Sequence, residues 1–272
     1  MTMRRKPVDH YSTHYSAFNT DLYAQIRRET FDEDYGQNGW QTAPELDRFT
    51  AALRLREGSR LLDVACGSGG PSLRIAEKTG CRVVGVDAHA QAIETAQSLA
   101  SERGMAERAE FRHLNASTPL PFDDGSMDAV ICIDAINHLP DRGATLRDWA
   151  RLLVPGGRLL YADPIVVTGV LTSEEIVIRS SIGFFLFVPD GENERLVREA
   201  GLELESREDT TESVATIAGR WRAARGRHAS ELLAAEGEAT FDGQQVFFEV
   251  AERLASERRL SRRVFVAKKA ES

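Results

Sequence analysis

An aspartate and a histidine stand four residues apart in Ile133-Asp134-Ala135-Ile136-Asn137-His138-Leu139-Pro140-Asp141, so both can face one way if the segment turns helically. Histidine titrates near neutrality, which makes His138 a candidate to take a proton or orient a nucleophile; capping the segment ahead of Pro140 is the competing, purely structural use. Asp134 offers a negative charge to a cationic group or a hydrogen bond to a cofactor. Further upstream, Asp63-Val64-Ala65-Cys66-Gly67-Ser68-Gly69-Gly70-Pro71 places small residues where a short apolar run ends. Backbone can approach a ligand closely there, and the N–H groups that open the following helix can meet a negative charge. Asp87 lies about twenty residues beyond that turn, where a carboxylate can accept both hydroxyls of a ribose.

A glycine turn of this kind also serves dinucleotides and nucleoside triphosphates. The dinucleotide fingerprint needs G-x-G-x-x-G, yet counting from Gly67 the third position is Ser72, and an acidic Asp63 precedes the turn. A nicotinamide-dependent oxidoreductase is therefore disfavoured. No Gly-Lys-Ser/Thr follows, so the phosphate-loop reading fails.

These residues need a scaffold, and the pattern after Arg60 supplies one. Short apolar runs at 61–65, 81–86, 110–114, 127–133 and 157–162 alternate with helical stretches at 71–78, 90–104 and 144–153. That rhythm predicts a parallel sheet with helices on both faces, and open sheets of this kind bind ligands beyond the carboxyl ends of their strands. The last third changes character: a helix ending at 200, a strand at 202–207, helical stretches at 212–236 and 244–257, and a final strand at 263–268. Before the sheet, 21–30 and 44–55 read as helices, joined by the aromatic turn Tyr35-Gly36-Gln37-Asn38-Gly39-Trp40.

With 272 residues and 42% hydrophobic content, one large α/β core with embellishments is expected. No apolar run is long enough to span a bilayer, and residues 1–14 lack the apolar stretch of a secretory signal, so a cytoplasmic protein is expected. Cys66, Cys81 and Cys132 lie far apart and read as buried free thiols. No Cys/His cluster has zinc spacing, and no metal is expected. The net charge of −8 argues against a nucleic-acid partner. The basic clusters Arg220, Arg222, Arg225, Arg227 and Arg258, Arg259, Arg262, Arg263 read as solvated helix faces.

The whole string of motifs carries a resemblance. Asp63-x-Ala65-Cys66-Gly67-x-Gly69-Gly70, Gly85-Val86-Asp87, Pro119-Leu120-Pro121-Phe122, Asp128-Ala129-Val130-Ile131 and Leu152-Leu153-x-Pro155-Gly156-Gly157-Arg158-Leu159 resemble, in order and spacing, the motifs of class I S-adenosylmethionine-dependent methyltransferases. The match runs from about residue 58 to 165. It implies that Asp63 and the turn at Ala65, Gly67 and Gly69 hold the methionine part of the cofactor, that Asp87 holds the ribose, and that Asn115 and Ala116 meet the adenine; Ala88 and Ile133 complete the expected set. Asn115 stands where the family usually has Asp, and Ala65 where Gly is commoner. The Asp134-x-x-x-His138 segment is similar to that of phosphoethanolamine and sarcosine/dimethylglycine N-methyltransferases.

The resemblance implies a Rossmann-like seven-stranded sheet, mostly parallel with an antiparallel last strand. Residues 1–57 would form a helical lid and 58–272 the core, with acceptor covers inserted at about 164–192 and 210–258. Apolar Phe184, Phe185 and Phe187 would line the acceptor pocket, and Tyr11, Tyr15, Tyr23 and Tyr35 are candidates to close over the cofactor. The acceptor is a small molecule methylated on N, O or C, with no nucleic acid or membrane as partner and a homo-oligomer compatible with the apolar segments. A non-catalytic module that only binds S-adenosylmethionine is the other alternative.

Overall fold

The computed structural model describes residues 18–271, and Tyr11 and Tyr15 lie outside them. Its sheet is built from β1 (Arg60–Val64), β2 (Arg82–Asp87), β3 (Ala109–His113), β4 (Met127–Ile133), β5 (Leu153–Val167), β6 (Val188–Pro189), β7 (Leu202–Asp209) and β8 (Leu260–Lys269). The order is β3-β2-β1-β4-β5-β8-β7, with two-residue β6 beside the end of β5. β8 runs antiparallel to both its neighbours, β5 and β7, and the remaining pairs are parallel. A mostly parallel sheet with an antiparallel last strand is the one expected; β6, which brings the count to eight, is too short to leave a signal in the sequence.

Period-two alternation sends neighbouring strand residues to opposite faces. Leu61, Ile131, Leu160 and Val266 go to one side, where they meet α2 (Ala43–Ala52), α3 (Gly70–Thr79) and α4 (Ala90–Glu102) through Leu46, Phe49, Leu73 and Ile93. Leu62, Val130, Leu159 and Phe265 go to the other, against α5 (Arg142–Leu152) and α7 (Glu192–Glu199) through Leu146, Trp149 and Val197. With both faces covered, each such side chain contributes roughly 1.5–3 kcal/mol by leaving water. Cys66, Cys81 and Cys132 are buried free thiols.

The N-terminal segment divides its loyalties. α2 belongs to the sheet's own core, whereas α1 (Asp21–Phe31) packs through Tyr23, Ile26 and Phe31 on α8 (Thr211–Arg227) and α10 (Glu238–Ser256). The helical run expected at 212–236 breaks at His228 into α8 and α9 (Ala229–Glu236), and β5 continues to Val167 through a register shift after Asp163. Residues 164–167 are thus strand. α6 (Ser173–Arg179), fastened by a Thr172/Glu175 capping box, supplies the rest of that insertion.

The basic clusters are not solvated faces throughout. Arg225 and Arg262 are fully buried, the first paired with Glu236 and the second with Asp134 and Glu45. Arg220 pairs with Asp32 and Arg227 with Glu29, tying α8 to α1 and the turn after it. Among the described residues no helix is long and apolar enough to cross a membrane, and no group of three His, Cys, Asp or Glu is placed to hold a metal.

Candidate active site

β1 ends at Val64, and the chain then reverses through left-handed backbone at Ala65 (φ 58°), Gly67 (φ 54°) and Gly69 (φ 76°) before α3 begins. Left-handed backbone at position 65 is the physical reason glycine would be easier there than alanine. The turn aims the Gly67 N–H at Asp87 Oδ2, 3.0 Å away, and the other oxygen of Asp87 accepts from the His89 N–H at 2.9 Å. A Cβ on Gly70 would overlap the carbonyls of Tyr35 and Gly36, and Ser68 Oγ donates to the Gly36 carbonyl at 2.6 Å. The segment after α1 is therefore seated directly on the glycine turn.

Under this roof lies a cavity of about 520 Å³ at the carboxyl ends of β1, β2 and β4. Asp63, Ala65, Gly67, Asp87, Ala88, Asn115, Ala116, Ile133, Asp134 and His138 all border it. Gly69 does not: a Cβ there would stand 2.8 Å from Ala96 and Phe111, so its glycine serves the packing of α4 and β3 against the turn. Tyr23 gives its hydroxyl to Glu236 in the α1–α9 contact, and Tyr35 is buried beside Arg74, so neither side chain is on the cavity wall. The segment that does close it contributes Gly36, Asn38, Gly39 and Gln41, three of them from the aromatic turn Tyr35–Trp40 that the sequence marks.

The cavity's chemistry suits S-adenosylmethionine. Asp63 is buried and, among the described residues, its carboxylate is bonded by the Ser72 hydroxyl alone; burial, with the nearby Asp87 charge, pushes its carboxyl up to about 7. A carboxylate held in that condition is relieved by a cation such as an α-ammonium. Asn115 Oδ1 accepts from the Ser117 N–H at 2.9 Å, fixing the turn after β3 and leaving the amide N–H groups for a ring nitrogen.

A second chamber of about 120 Å³ opens beside the first, sharing Asn38, Gly39, Asp134, His138 and Ile182 with it. Its far walls are aromatic, Trp40, Phe185, Trp221, Phe247 and Phe248. Arg179 lies among them, buried, with its guanidinium 4.5 Å from the Phe247 ring centre. Of the three phenylalanines expected in the acceptor wall, Phe185 is here and Phe184 borders the larger cavity, while Phe187 packs away toward Ile165 and Leu254.

Asp134 and His138 do converge, but on different terms. Asp134 ends β4 in left-handed backbone (φ 57°) and accepts from Arg262 Nε at 2.6 Å and from the Trp40 N–H at 2.8 Å. Arg262 also reaches Glu45 at 2.9 Å, so the pair knits β4, β8, α2 and the N-terminal segment together. With its charge already matched by a buried guanidinium, Asp134 has little left to attract an ammonium acceptor.

His138 sits on a 3₁₀ turn, Ile136–His138, with Nδ1 2.8 Å from the Phe184 carbonyl. A carbonyl only accepts, so the proton resides on Nδ1 and the lone pair of the neutral ring on Nε2. Burial lowers the pKa of the ring below the usual histidine value, and the Arg179 charge pushes the same way against the Phe184 bond. The arrangement keeps a proton acceptor between the two cavities.

Comparison with known proteins bears on this geometry. Residues 62–161 match a methyltransferase domain model. The chain is 33% identical over 247 residues to 27-O-demethylrifamycin SV methyltransferase of Amycolatopsis mediterranei, covering 86% of this chain and 90% of that protein. Among solved structures, the cyclopropane synthase MmaA2 from Mycobacterium tuberculosis superposes with TM-score 0.82 at 18% identity, over 97% of this chain and 100% of that one. Phosphoethanolamine N-methyltransferase 2 of Haemonchus contortus gives 0.79 at 20% identity, over 97% of this chain and 60% of that one. The chain belongs to the class I S-adenosylmethionine-dependent methyltransferases and is an enzyme that transfers the cofactor's methyl group to a small-molecule acceptor.

Proposed function

We propose that the acceptor is an apolar molecule methylated on a hydroxyl oxygen, with His138 taking the hydroxyl proton. The observation that carries this reading is the place of His138 on the walls of both the cofactor cavity and the aromatic chamber, with its Nδ1 bonded to the Phe184 carbonyl. The name of the rifamycin relative, which describes methylation at an oxygen, supports it. Bound in the larger cavity, S-adenosylmethionine supplies an activated sulfonium methyl, so the chain has to align the nucleophile, exclude water and remove a proton. Trp40, Phe185 and Phe247 exclude water and give apolar surface to the acceptor; Asp134 acts as a positioning residue that holds the Trp40 segment in place. Incubation of the enzyme with methyl-labelled cofactor and a library of apolar alcohols, phenols and amines tests the reading. Labelled ethers are the expected products, and labelled amines or C-methyl compounds would overturn it.

In the same reading Asp63 meets the α-ammonium, Asp87 the ribose hydroxyls, and Asn115 with Ala116 the adenine, while Ala65, Gly67, Ala88 and Ile133 shape the wall and Gly69 supports it. Asp63 then couples binding to pH. Unliganded, its carboxyl titrates at about 7; the ammonium requires the carboxylate, so below that pH binding expels a proton. Affinity for S-adenosylhomocysteine, which keeps the same ammonium, should fall by up to about tenfold per unit as pH drops below about 7. Calorimetry in buffers of differing ionisation enthalpy measures both the fall and the released proton. A flat affinity with no proton release would separate Asp63 from the ammonium.

A further inference from the structure

Asn137 is a buried polar side chain on the chamber wall that the methyl-transfer chemistry above leaves without employment. It is 1% exposed, and among the described residues neither its Oδ1 nor its Nδ2 has a hydrogen-bond partner. Its backbone is held beside the chamber, since its carbonyl accepts from the Leu186 N–H at 2.8 Å. Leu186 is itself anchored by Arg142, which donates to the Leu186 carbonyl at 3.1 Å and is paired with buried Asp163. A buried carboxamide with both ends unmet is costly, and an aliphatic residue would satisfy an apolar wall better. That cost is recovered when a bound molecule meets the amide.

We propose that Asn137 selects the acceptor by binding a second oxygen, carbonyl or hydroxyl, close to the hydroxyl that is methylated. The inference rests on the reading that the aromatic chamber receives the acceptor. Asn137 and His138 both border one chamber of about 120 Å³, so a molecule small enough to fill it brings the groups that they address close to one another. The amide suits either partner: Nδ2 donates to a carbonyl, and Oδ1 accepts from a hydroxyl. The remaining walls, Trp40, Phe185, Phe247 and Phe248, offer apolar contact, so the rest of the molecule is apolar. A site built to bond an oxygen discriminates far more sharply against its absence than an apolar pocket discriminates by size.

The test uses enzyme saturated with S-adenosylhomocysteine and three probes of similar size: 2-hydroxyacetophenone, 1-phenyl-1,2-ethanediol and 2-phenylethanol, which lacks the second oxygen. Calorimetry should show the first two binding at least about tenfold tighter than the third. Asn137→Leu should abolish that preference, leave 2-phenylethanol unchanged, and raise Tm by roughly 2–4 °C because an unmet amide has been replaced by an apolar group of similar size. A residue kept for stability alone would give a lower Tm. Equal affinities in the wild type, a preference surviving in Asn137→Leu, a fall in its Tm, or no binding of any probe would each overturn the assignment. Trp40→Ala separates this from failure of the underlying reading: it removes a chamber wall without touching Asn137 and should weaken all three probes alike. If it changes none of them, the chamber does not receive acceptors and the proposed function itself fails.

Discussion

Gly67→Val is expected to eliminate cofactor binding while leaving a folded protein. Gly67 holds left-handed backbone (φ 54°), which costs an L residue roughly 1–2 kcal/mol, and more when the side chain branches at Cβ. Two outcomes are open to valine, and both damage the cavity. If it keeps the angle, its methyl groups stand at a wall of the cavity where the cofactor must lie. If it relaxes, its N–H leaves Asp87 Oδ2, and the carboxylate assigned to the ribose loses one of the donors that orient it. Affinity for S-adenosylhomocysteine should fall by at least about 4 kcal/mol, roughly a thousandfold, and Tm by roughly 4–8 °C from the backbone strain. Gly67→Ala, which bears the backbone cost with a smaller side chain, should lie between the two. Calorimetry and thermal unfolding give both numbers. Retained affinity in Gly67→Val at normal Tm would place the cofactor elsewhere.

The parts of this molecule that sequence reasoning reached are those whose causes are local. The strands and their parallel direction follow from apolar runs alternating with helices of ordinary length, and the turn after β1 is marked by its own small residues. The cavity wall from Asp63 to Asn115 comes from the ends of three neighbouring strands, so finding the strands nearly suffices to find the wall. Gly69 shows the limit even there: the motif contains it, but its absent side chain accommodates Ala96 and Phe111, contacts that only the packed sheet defines.

The acceptor side was out of reach for a different reason. Trp40, Asn137, Arg179 and Phe247 lie on four separate segments and are brought together only by the packing of α1, α6, α8 and α10 over the sheet edge. Asp134 looked available for an ammonium because its partner, Arg262, is 128 positions away and sits in a cluster of arginines that reads as solvated surface. Asn137 stands next to the histidine that spacing does single out, yet an amide between Ile136 and His138 has no periodicity or motif to mark it. Its lack of a partner is a property of the packed interior alone. Similarly, α1 and α2 look alike in sequence, and only the apolar surface each one meets decides that α2 joins the sheet core while α1 joins the helices above the chamber.

His138→Ala should lower turnover by roughly 10²–10⁴-fold with cofactor affinity almost unchanged, because the lost interaction belongs to proton removal in the transition state. The pH dependence gives the sharper test. The neutral ring is the working form, and burial, aided by the His89 and Arg179 charges against the Phe184 bond and the Asp87 charge, holds its pKa below the usual histidine value. Wild-type turnover, measured with cofactor saturating so that Asp63 no longer contributes, should therefore be full at neutral pH and decline only as pH falls through a pKa under about 6.5. A bound sulfonium adds a positive charge nearby and moves that limb further toward acid. The variant should lack the limb altogether, and added imidazole, small enough for the space left by the side chain, should restore part of the rate. Because Nδ1 carries the bond to the Phe184 carbonyl, the substitution also removes one of the holds on the 183–187 segment, so a modest fall in Tm is expected alongside. A loss confined to KM, with the acid limb still present, would assign His138 to holding the acceptor rather than deprotonating it. Wild-type turnover and an unchanged pH profile in His138→Ala would return the residue to the support of that segment and remove the proton acceptor from the proposed chemistry.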